Sequence, residues 1–173
     1  MANLERLSDT SYDLREAAAG FDGEIEFPVI ADPSSDYGAS YGPHVAGTVV
    51  KVPCMSLETI VGTMPAGPIN MLHCDIQGAE QDLIESPAFP DSLQRIDVVL
   101  FGTHRSDSLH QRVVDRVREA GFHVALEWPR KSEVNTAYGT LQTYDGAVLG
   151  VRADQYEKAA LLVDFNALQG TVA

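Results

Sequence analysis

The chain has 173 residues, of which 45% are hydrophobic, which is enough for one domain with a buried core and too few for two ordinary domains. Its 25 acidic residues outnumber its 12 basic residues, so the formal net charge is −13 at pH 7. Because a protein that neutralises phosphates needs clustered lysine and arginine, this charge argues against a nucleic-acid partner and against an anionic membrane surface.

The sequence also bears on compartment and cysteine chemistry. Residues 1–6 contain no apolar segment of signal-peptide length, and no later segment approaches the roughly 18 apolar residues of a membrane span. We therefore expect a cytoplasmic protein without membrane association. Cys54 and Cys74 form neither a disulfide framework nor a zinc-ligand spacing, so we expect both to behave as small apolar residues.

The first part of the chain predicts a helix, a strand and a long loop. Residues 12–19 carry helix formers and end at Gly20, which favours a helix. Residues 24–30 alternate between polar and apolar side chains, which favours a strand. Residues 31–48 are rich in Pro, Ser, Gly, Asp and Tyr, so we expect a loop that is either functional or a mere linker. Tyr37 in this loop either covers a substrate or lies on the surface.

The middle of the chain predicts two strand–helix units. Residues 49–52 favour a short strand, and Ser56 is the expected N-cap of a helix over residues 57–64. Residues 69–75 form an apolar run that ends in a carboxylate, as expected of a buried parallel strand. A helix over residues 80–85 should follow, and Pro87 should break it.

The last part of the chain continues this alternation, with a polar loop that contains Pro129 and Asn135. The predicted elements are strands at residues 96–101, 122–128, 140–144 and 147–151, and helices at residues 109–120 and 154–168, the last with Asp154 as N-cap. Strands that alternate with helices imply an α/β domain with a mostly parallel sheet and right-handed crossovers.

Two residues at predicted strand ends are the first candidates for chemistry. Ligands of open α/β sheets bind beyond the carboxyl ends of the strands, where Asp75 and His104 would meet at one cleft. Alternatively, Asp75 only caps the helix that begins near Gly78, and His104 is an ordinary exposed histidine. We expect Glu80, in the first turn of that helix, to be a surface acid.

Two motifs in this region resemble a known family. Residues 75–80 read Asp-Ile-Gln-Gly-Ala-Glu, and residues 98–104 read Val-Val-Leu-Phe-Gly-Thr-His. Together they resemble the FkbM-type S-adenosylmethionine-dependent methyltransferases, in the subset whose fifth strand ends in Gly-Thr-His. The likeness covers roughly residues 10–152.

The resemblance implies a Rossmann-like methyltransferase fold with an antiparallel strand near the C-terminus, S-adenosylmethionine as cofactor, and a small-molecule or sugar hydroxyl as acceptor. The sequence lacks the glycine-rich cofactor turn of this class. We therefore expect residues 1–173 to form a single methyltransferase-like domain without the first two strands. The strand at residues 69–75 would then pair in a homo-oligomer, pair within a larger chain, or belong to a sheet that closes differently, because a bare apolar edge favours aggregation.

The expected chemistry is proton removal from the acceptor hydroxyl. His104 would accept the proton, while Asp75 would orient the substrate or hold a divalent cation such as Mg²⁺. Hard cations need several oxygen ligands, and Gln77 supplies no second carboxylate, which favours the base over the metal. We expect Gln77, Gly78 and Thr103 to shape the site.

The missing cofactor turn leaves a second function open. The chain could be a non-catalytic oligomerising or partner-binding module derived from a methyltransferase fold. An unrelated hydrolase has little support, because the sequence contains no Gly-x-Ser-x-Gly elbow, P-loop or zinc signature.

Overall fold

The computed structural model of the protein describes residues 13–29, 48–161, 164–165 and 171–172. Within these ranges, strands and helices alternate through the middle of the chain, and strands dominate both ends. The elements are β1 (Ala18–Gly20), β2 (Gly23–Pro28), β3 (Val49–Ser56), α1 (Leu57–Gly62), β4 (Ile69–Cys74), α2 (Glu80–Glu85), α3 (Phe89–Ser92), β5 (Ile96–Thr103), α4 (Asp107–Glu119), β6 (Phe122–Trp128), β7 (Ser132–Thr136), β8 (Gly139–Thr143), β9 (Gly146–Arg152), α5 (Tyr156–Ala160) and β10 (Thr171–Val172).

The central sheet has the strand order β4-β5-β9-β6. Strands β4 and β5 are parallel, so their carboxyl ends lie at the same edge of the sheet. Strand β9 inserts between β5 and β6 and is antiparallel to both. Its first residue, Gly146, pairs with Thr103 at the end of β5. This topology brings three distant chain segments to one sheet edge.

Helix α4 covers one face of this sheet. Ser106 is its N-cap and accepts a hydrogen bond from the Leu109 amide at 3.1 Å. Apolar side chains at helical spacing then face the sheet and are fully buried. The core that they form with the strands and with α3 includes Leu109, Val113, Val114, Val117, Phe89, Val99, Phe101 and Val148.

The described residues also form two smaller sheets. The first has the order β1-β3-β2, and the second has the order β10-β7-β8. The predicted helix cap after β3 is confirmed, because Ser56 Oγ accepts a hydrogen bond from the Thr59 amide at 3.1 Å at the start of α1. None of the helices in the described ranges is long and apolar enough to cross a membrane.

The α/β class is confirmed, whereas the mostly parallel sheet is wrong. Only the β1·β3 and β4·β5 pairs of the described residues are parallel, and the other strand pairs are antiparallel. One reason is that consecutive strands such as β7 and β8 pair with each other. Antiparallel pairing of consecutive strands needs only a short turn, whereas parallel pairing needs a long crossover connection. Parallel pairing is confined to strands that a helix separates, together with the short β1.

The helix predicted over residues 12–19 is wrong in its described part. Residues 13–17 are irregular, and Ala18–Gly20 forms β1, which pairs in parallel with residues 54–56 of β3. Helix propensity is a weak preference that tertiary contacts override. The three residues of β1 form a strand because they pair with β3, although their own sequence has low strand propensity.

Three further boundaries differ from the sequence prediction. Residues 132–136, predicted as part of a polar loop, form β7 because they pair with β8. Helix α2 spans Glu80–Glu85 and ends before Pro87 as predicted, but the chain then forms the short helix α3, which was not predicted. Helix α5 starts after Gln155 rather than Asp154 and, in the described residues, ends at Ala160. Residues 31–47 of the predicted loop, with Tyr37, lie outside the described residues.

The packing of α3 generates a stability prediction. Phe89 is fully buried, and its ring lies 6.1 Å from that of Phe101 between centroids. Replacing it with alanine should lower the free energy of unfolding by about 3–5 kcal/mol, because the substitution removes buried contacts and leaves a cavity. Urea denaturation measures this change. Phe21→Ala, at a side chain that is 45% exposed, is the matched control and should cost less than about 1 kcal/mol. Equal losses in the two variants would contradict the assigned core.

Candidate functional site

The candidate site lies where β4 and β5 end and β9 begins. Asp75 follows the last residue of β4, His104 follows the last residue of β5, and Asp145 precedes the first residue of β9. Because β4 and β5 are parallel and β9 is antiparallel to β5, all three residues reach the same edge of the central sheet. The meeting of Asp75 and His104 that the sequence predicted is therefore present.

A tight turn between β4 and α2 brings a fourth residue, Glu80, into this group. Gln77 and Gly78 both have positive φ angles, 55° and 98°. A Cβ on Gly78 would overlap the Arg105 side chain, so the turn needs glycine both for its φ angle and for space. The turn folds Glu80 back onto the strand end, where Glu80 Oε1 accepts a hydrogen bond from the Ile76 amide at 3.1 Å.

Glu80 and His104 form a buried carboxylate–imidazole pair. Glu80 Oε1 lies 2.7 Å from His104 Nδ1, and Glu80 is 0% exposed. Since Glu80 Oε1 already accepts the Ile76 amide, we assign the shared proton to Nδ1. Glu80 Oε2 is buried and has no hydrogen-bond partner among the described residues. The pair thus fixes the ring orientation and leaves His104 Nε2 to face the opposite way.

His104 Nε2 faces two aspartates at the solvent-exposed end of the site. It lies 3.1 Å from Asp75 Oδ1 and 3.9 Å from Asp145 Oδ2, and the two aspartate side chains are about half exposed. Gln77 Nε2 also donates to Asp75 Oδ1, at 3.2 Å. The imidazole therefore connects a buried carboxylate to an accessible one, which is an arrangement suited to moving a proton or to binding a cation.

A glycine leaves room for this contact. A Cβ on Gly102 would lie 3.2 Å from both Asp75 Oδ1 and His104 Cε1. Any larger residue at this position would press on the two groups that face each other. The glycine in the Gly-Thr-His motif thus has a steric role at the site, which the sequence alone did not reveal.

The structure decides between the alternatives for the predicted residues. Asp75 does not cap α2, whose N-cap residue is Ala79 and lacks a side-chain cap hydrogen bond. His104 is 7% exposed, so the interpretation as an ordinary surface histidine is wrong. Glu80 is also no surface acid, because it is fully buried against His104.

Two further site residues would have been difficult to find from sequence. The sequence motif includes Glu80, but it does not indicate that Glu80 is buried, because that burial depends on the left-handed turn at residues 77–78. Asp145 reaches the site only because β9 inserts beside β5. The Asp145-Gly146 dipeptide signalled a turn or bulge, and it gave no indication of which strand would lie beside it.

Cys74, the last residue of β4, is buried behind Asp75. Burial raises the pKa of its thiol far above the ordinary value, and the negative charges of Glu80 and Asp75 raise it further. A neutral buried thiol is a poor nucleophile and a poor metal ligand, so Cys74 acts as a small apolar residue, as the sequence predicted. Its place beside the site is structural.

Thr103 belongs to a second buried polar cluster on the other side of β5. Its hydroxyl oxygen is fully buried and lies 2.7 Å from His110 Nδ1 on α4. His110 Nε2 lies 3.7 Å from Glu127 Oε1 on β6. A Cβ on Gly146 would overlap Thr103 and His110, so this glycine allows β9 to pass close to the cluster. The hydroxyl of Thr103 therefore contacts the helix rather than the candidate cleft.

Burial of His110 generates a pH prediction. Desolvation lowers the pKa of His110, with Arg130 lowering it further and Glu127 opposing the shift. As pH falls below the unfolded pKa of about 6.5, the unfolded chain therefore binds a proton before the folded one does, and stability is lost. The free energy of unfolding should fall between about pH 7.5 and pH 5.5, and His110→Gln should make this fall smaller.

Urea unfolding at several pH values measures this effect. His123→Gln, at an exposed histidine on β6, is the matched control and should retain the pH dependence of the original protein. A His110→Gln variant whose pH dependence equals that of the control would show that His110 is not buried in its neutral form.

Comparisons with protein-family models, with curated proteins and with solved structures found no match to this chain. Site geometry and the motif resemblance described above therefore provide the basis for a functional proposal.

Proposed function

We propose that this chain is an S-adenosylmethionine-dependent O-methyltransferase of the FkbM type, or a part of one, acting on a small-molecule or sugar hydroxyl. The observation that carries the proposal is the buried Glu80–His104 pair, which holds His104 Nε2 toward the accessible end of the site. Carboxylate, imidazole and an incoming hydroxyl in this order form the arrangement by which many enzymes activate an oxygen nucleophile.

In this proposal the acceptor hydroxyl takes the place of the Asp75 contact at His104 Nε2. The O–H proton passes to Nε2, and the imidazolium that forms is stabilised by Glu80 Oε1, 2.7 Å from the other ring nitrogen. Asp75, which is half exposed, accepts a hydrogen bond from a second hydroxyl of the acceptor molecule or orients the reactive hydroxyl. The deprotonated oxygen is then the nucleophile of the proposed methyl transfer.

Two features support the family assignment. Residues 75–80 and 98–104, which carry the resemblance, supply Asp75, Glu80, Gly102 and His104 to one site. The resemblance also implies an antiparallel strand near the C-terminus, and β9 occupies such a place between β5 and β6.

The described residues do not provide a fit for the cofactor. A glycine-rich turn that approaches a cofactor must leave its backbone open. The turn at Gly78 is instead covered by the Arg105 side chain, and the described ranges contain no glycine-rich turn after another strand. We therefore assign no cofactor-binding residue, and the proposed step concerns the acceptor alone.

The proposal predicts a specific loss of activity in two variants. His104→Gln should lower the methyl-transfer rate by about 10²–10⁴-fold, because it removes the general base. Glu80→Gln keeps the shape of the side chain but removes the charge that stabilises the imidazolium, and should lower the rate by at least about tenfold. Transfer of labelled methyl from S-adenosylmethionine to a panel of sugar and small-molecule hydroxyls measures both rates.

His123→Gln is the matched control, since it removes an exposed imidazole far from the site on β6, and should retain full activity. Circular dichroism confirms that each variant is folded. A His104→Gln variant with an unchanged rate would overturn the proposal, and a folded chain that does not bind S-adenosylmethionine in calorimetry would show that this chain is not by itself a methyltransferase.

A second candidate function is favoured by the exposed lateral side of the central sheet, along strand β4. Strand β4 is terminal in the sheet, and no strand of the described residues pairs with its outer side. Asn70, Met71 and His73 on this strand are exposed, with Met71 at 47%. An unprotected edge of this kind is a template for another strand. This feature favours an oligomerising or partner-binding module, in which β4 pairs antiparallel with its copy across a two-fold axis.

The edge-pairing candidate predicts a dimer that a charge on β4 disrupts. Light scattering should give twice the chain mass for the original protein, and Met71→Lys should give the monomer mass, because a lysine on an edge strand opposes pairing. Met64→Lys, at a methionine of similar exposure beyond α1, should remain dimeric. A monomeric original protein would contradict edge pairing, and it would leave the methyltransferase proposal unchanged.

A further inference from the structure

The charges at the site are unbalanced in a way that points to a cation. Asp75, Glu80 and Asp145 surround a single imidazole, and among the described residues the ion pairs of these three carboxylates are all with His104, while the Arg105 side chain covers the neighbouring turn at Gly78. Glu80 is fully buried, and its Oε2 has no hydrogen-bond partner among the described residues.

The hydrogen-bond geometry leaves His104 Nε2, on the far side of the ring from Glu80, as the position for a cation between the ring and the two aspartates. His104 Nδ1 carries a proton and donates a hydrogen bond to Glu80 Oε1. When the ring is neutral, Nε2 therefore has a free lone pair. That lone pair would face Asp75 Oδ1 at 3.1 Å, and Asp145 Oδ2 at 3.9 Å. Two acceptors at such distances repel each other unless a proton or a metal ion lies between them.

The spacing matches that of metal ligands. Atoms bound to one ion at about 2.0–2.2 Å lie about 3–4 Å apart, as do the contacts from His104 Nε2. One donor atom from each of Asp75, Glu80 and His104 lies within 4.8 Å of the other two. Asp75 and Asp145 are half exposed, so both can rotate toward an ion.

We propose that His104 Nε2, Asp75 and Asp145 form a site for one divalent transition-metal ion, and that Glu80 orients the imidazole from behind. A carboxylate on the second nitrogen of a ligating histidine is the usual partner in metal sites. The mixed nitrogen and oxygen ligands suit Zn²⁺, Co²⁺ or Mn²⁺ better than Mg²⁺, which prefers oxygen. An ion at Nε2 occupies the lone pair that the proposed base requires, so the site binds either the ion or the acceptor proton.

Titration of the folded, metal-free protein with Co²⁺ tests the site, because Co²⁺ bound to nitrogen and oxygen ligands has a visible absorption that reports its coordination. We expect a single Co²⁺ to bind per chain, and Zn²⁺ to displace it. His104→Gln should abolish the absorption. Asp75→Asn and Asp145→Asn should each weaken binding by more than about tenfold, and Glu80→Gln should weaken it by about 10–100-fold while the ion remains bound.

His73→Asn is the matched control, since it removes an exposed histidine on β4, the strand that Asp75 follows, and should leave Co²⁺ binding unchanged. Absence of a Co²⁺ spectrum in the original protein, or retention of full affinity in His104→Gln, would overturn the inference. The titration contains neither cofactor nor acceptor, so its result is independent of methyl transfer. An active enzyme that binds no Co²⁺ would refute the metal site alone, and an inactive chain that binds it would refute only the methyltransferase.

Discussion

The candidate site depends on one interaction, the burial of the Glu80 carboxylate beneath the His104 ring. Removing an ionised carboxylate from water costs several kcal/mol unless charged or polar partners replace the solvent. Glu80 obtains only two such partners from the described residues, His104 Nδ1 at 2.7 Å and the Ile76 amide at 3.1 Å. Both belong to the ends of the parallel strands, so the carboxylate links the β4–α2 turn to the end of β5. The orientation of the imidazole follows from this link.

The antiparallel strand β9 organises the two sides of the β5 end. Successive residues of an extended chain point to opposite faces, and Thr103 and His104 accordingly join different polar groups. Thr103 contacts His110 under α4, whereas His104 contacts Glu80 and the two aspartates. Gly146 at the start of β9 has no Cβ to strike Thr103 or His110, which lets Asp145 follow the sheet edge to the site. A parallel strand in this position would place its opposite end there and would not deliver Asp145.

The parts of the fold that the sequence predicted are those in which local pattern and tertiary environment agree. The apolar run of β5 and the helical spacing of α4 are recognisable because burial requires those same residues. Strand β4 is parallel to β5 as predicted, but its predicted burial is wrong, because β4 is terminal in its sheet and only Cys74 of its residues is buried. Strand β1 and strand β7 were missed, because their conformation depends on partners elsewhere in the chain rather than on their own composition. For the same reason Asp75 and His104 were predictable from strand ends, whereas the burial of Glu80 needed the left-handed turn at Gln77 and Gly78. A sequence pattern indicates which residues follow the end of a strand, but it does not indicate the direction in which the chain turns after that end.

The electrostatics of the site also restrict the ligand that it can accept. Three carboxylates around one imidazole create a negative potential, in a protein whose formal net charge is already −13. An acceptor with a carboxylate or phosphate near its reactive hydroxyl would be repelled by Asp75 and Asp145 at the accessible end. A neutral polyol such as a sugar can instead donate hydrogen bonds to both aspartates, which accept and do not donate when ionised. The negative potential thus favours the proposed metal ion and disfavours an anionic form of the proposed acceptor, and the two proposed ligands would compete for His104 Nε2.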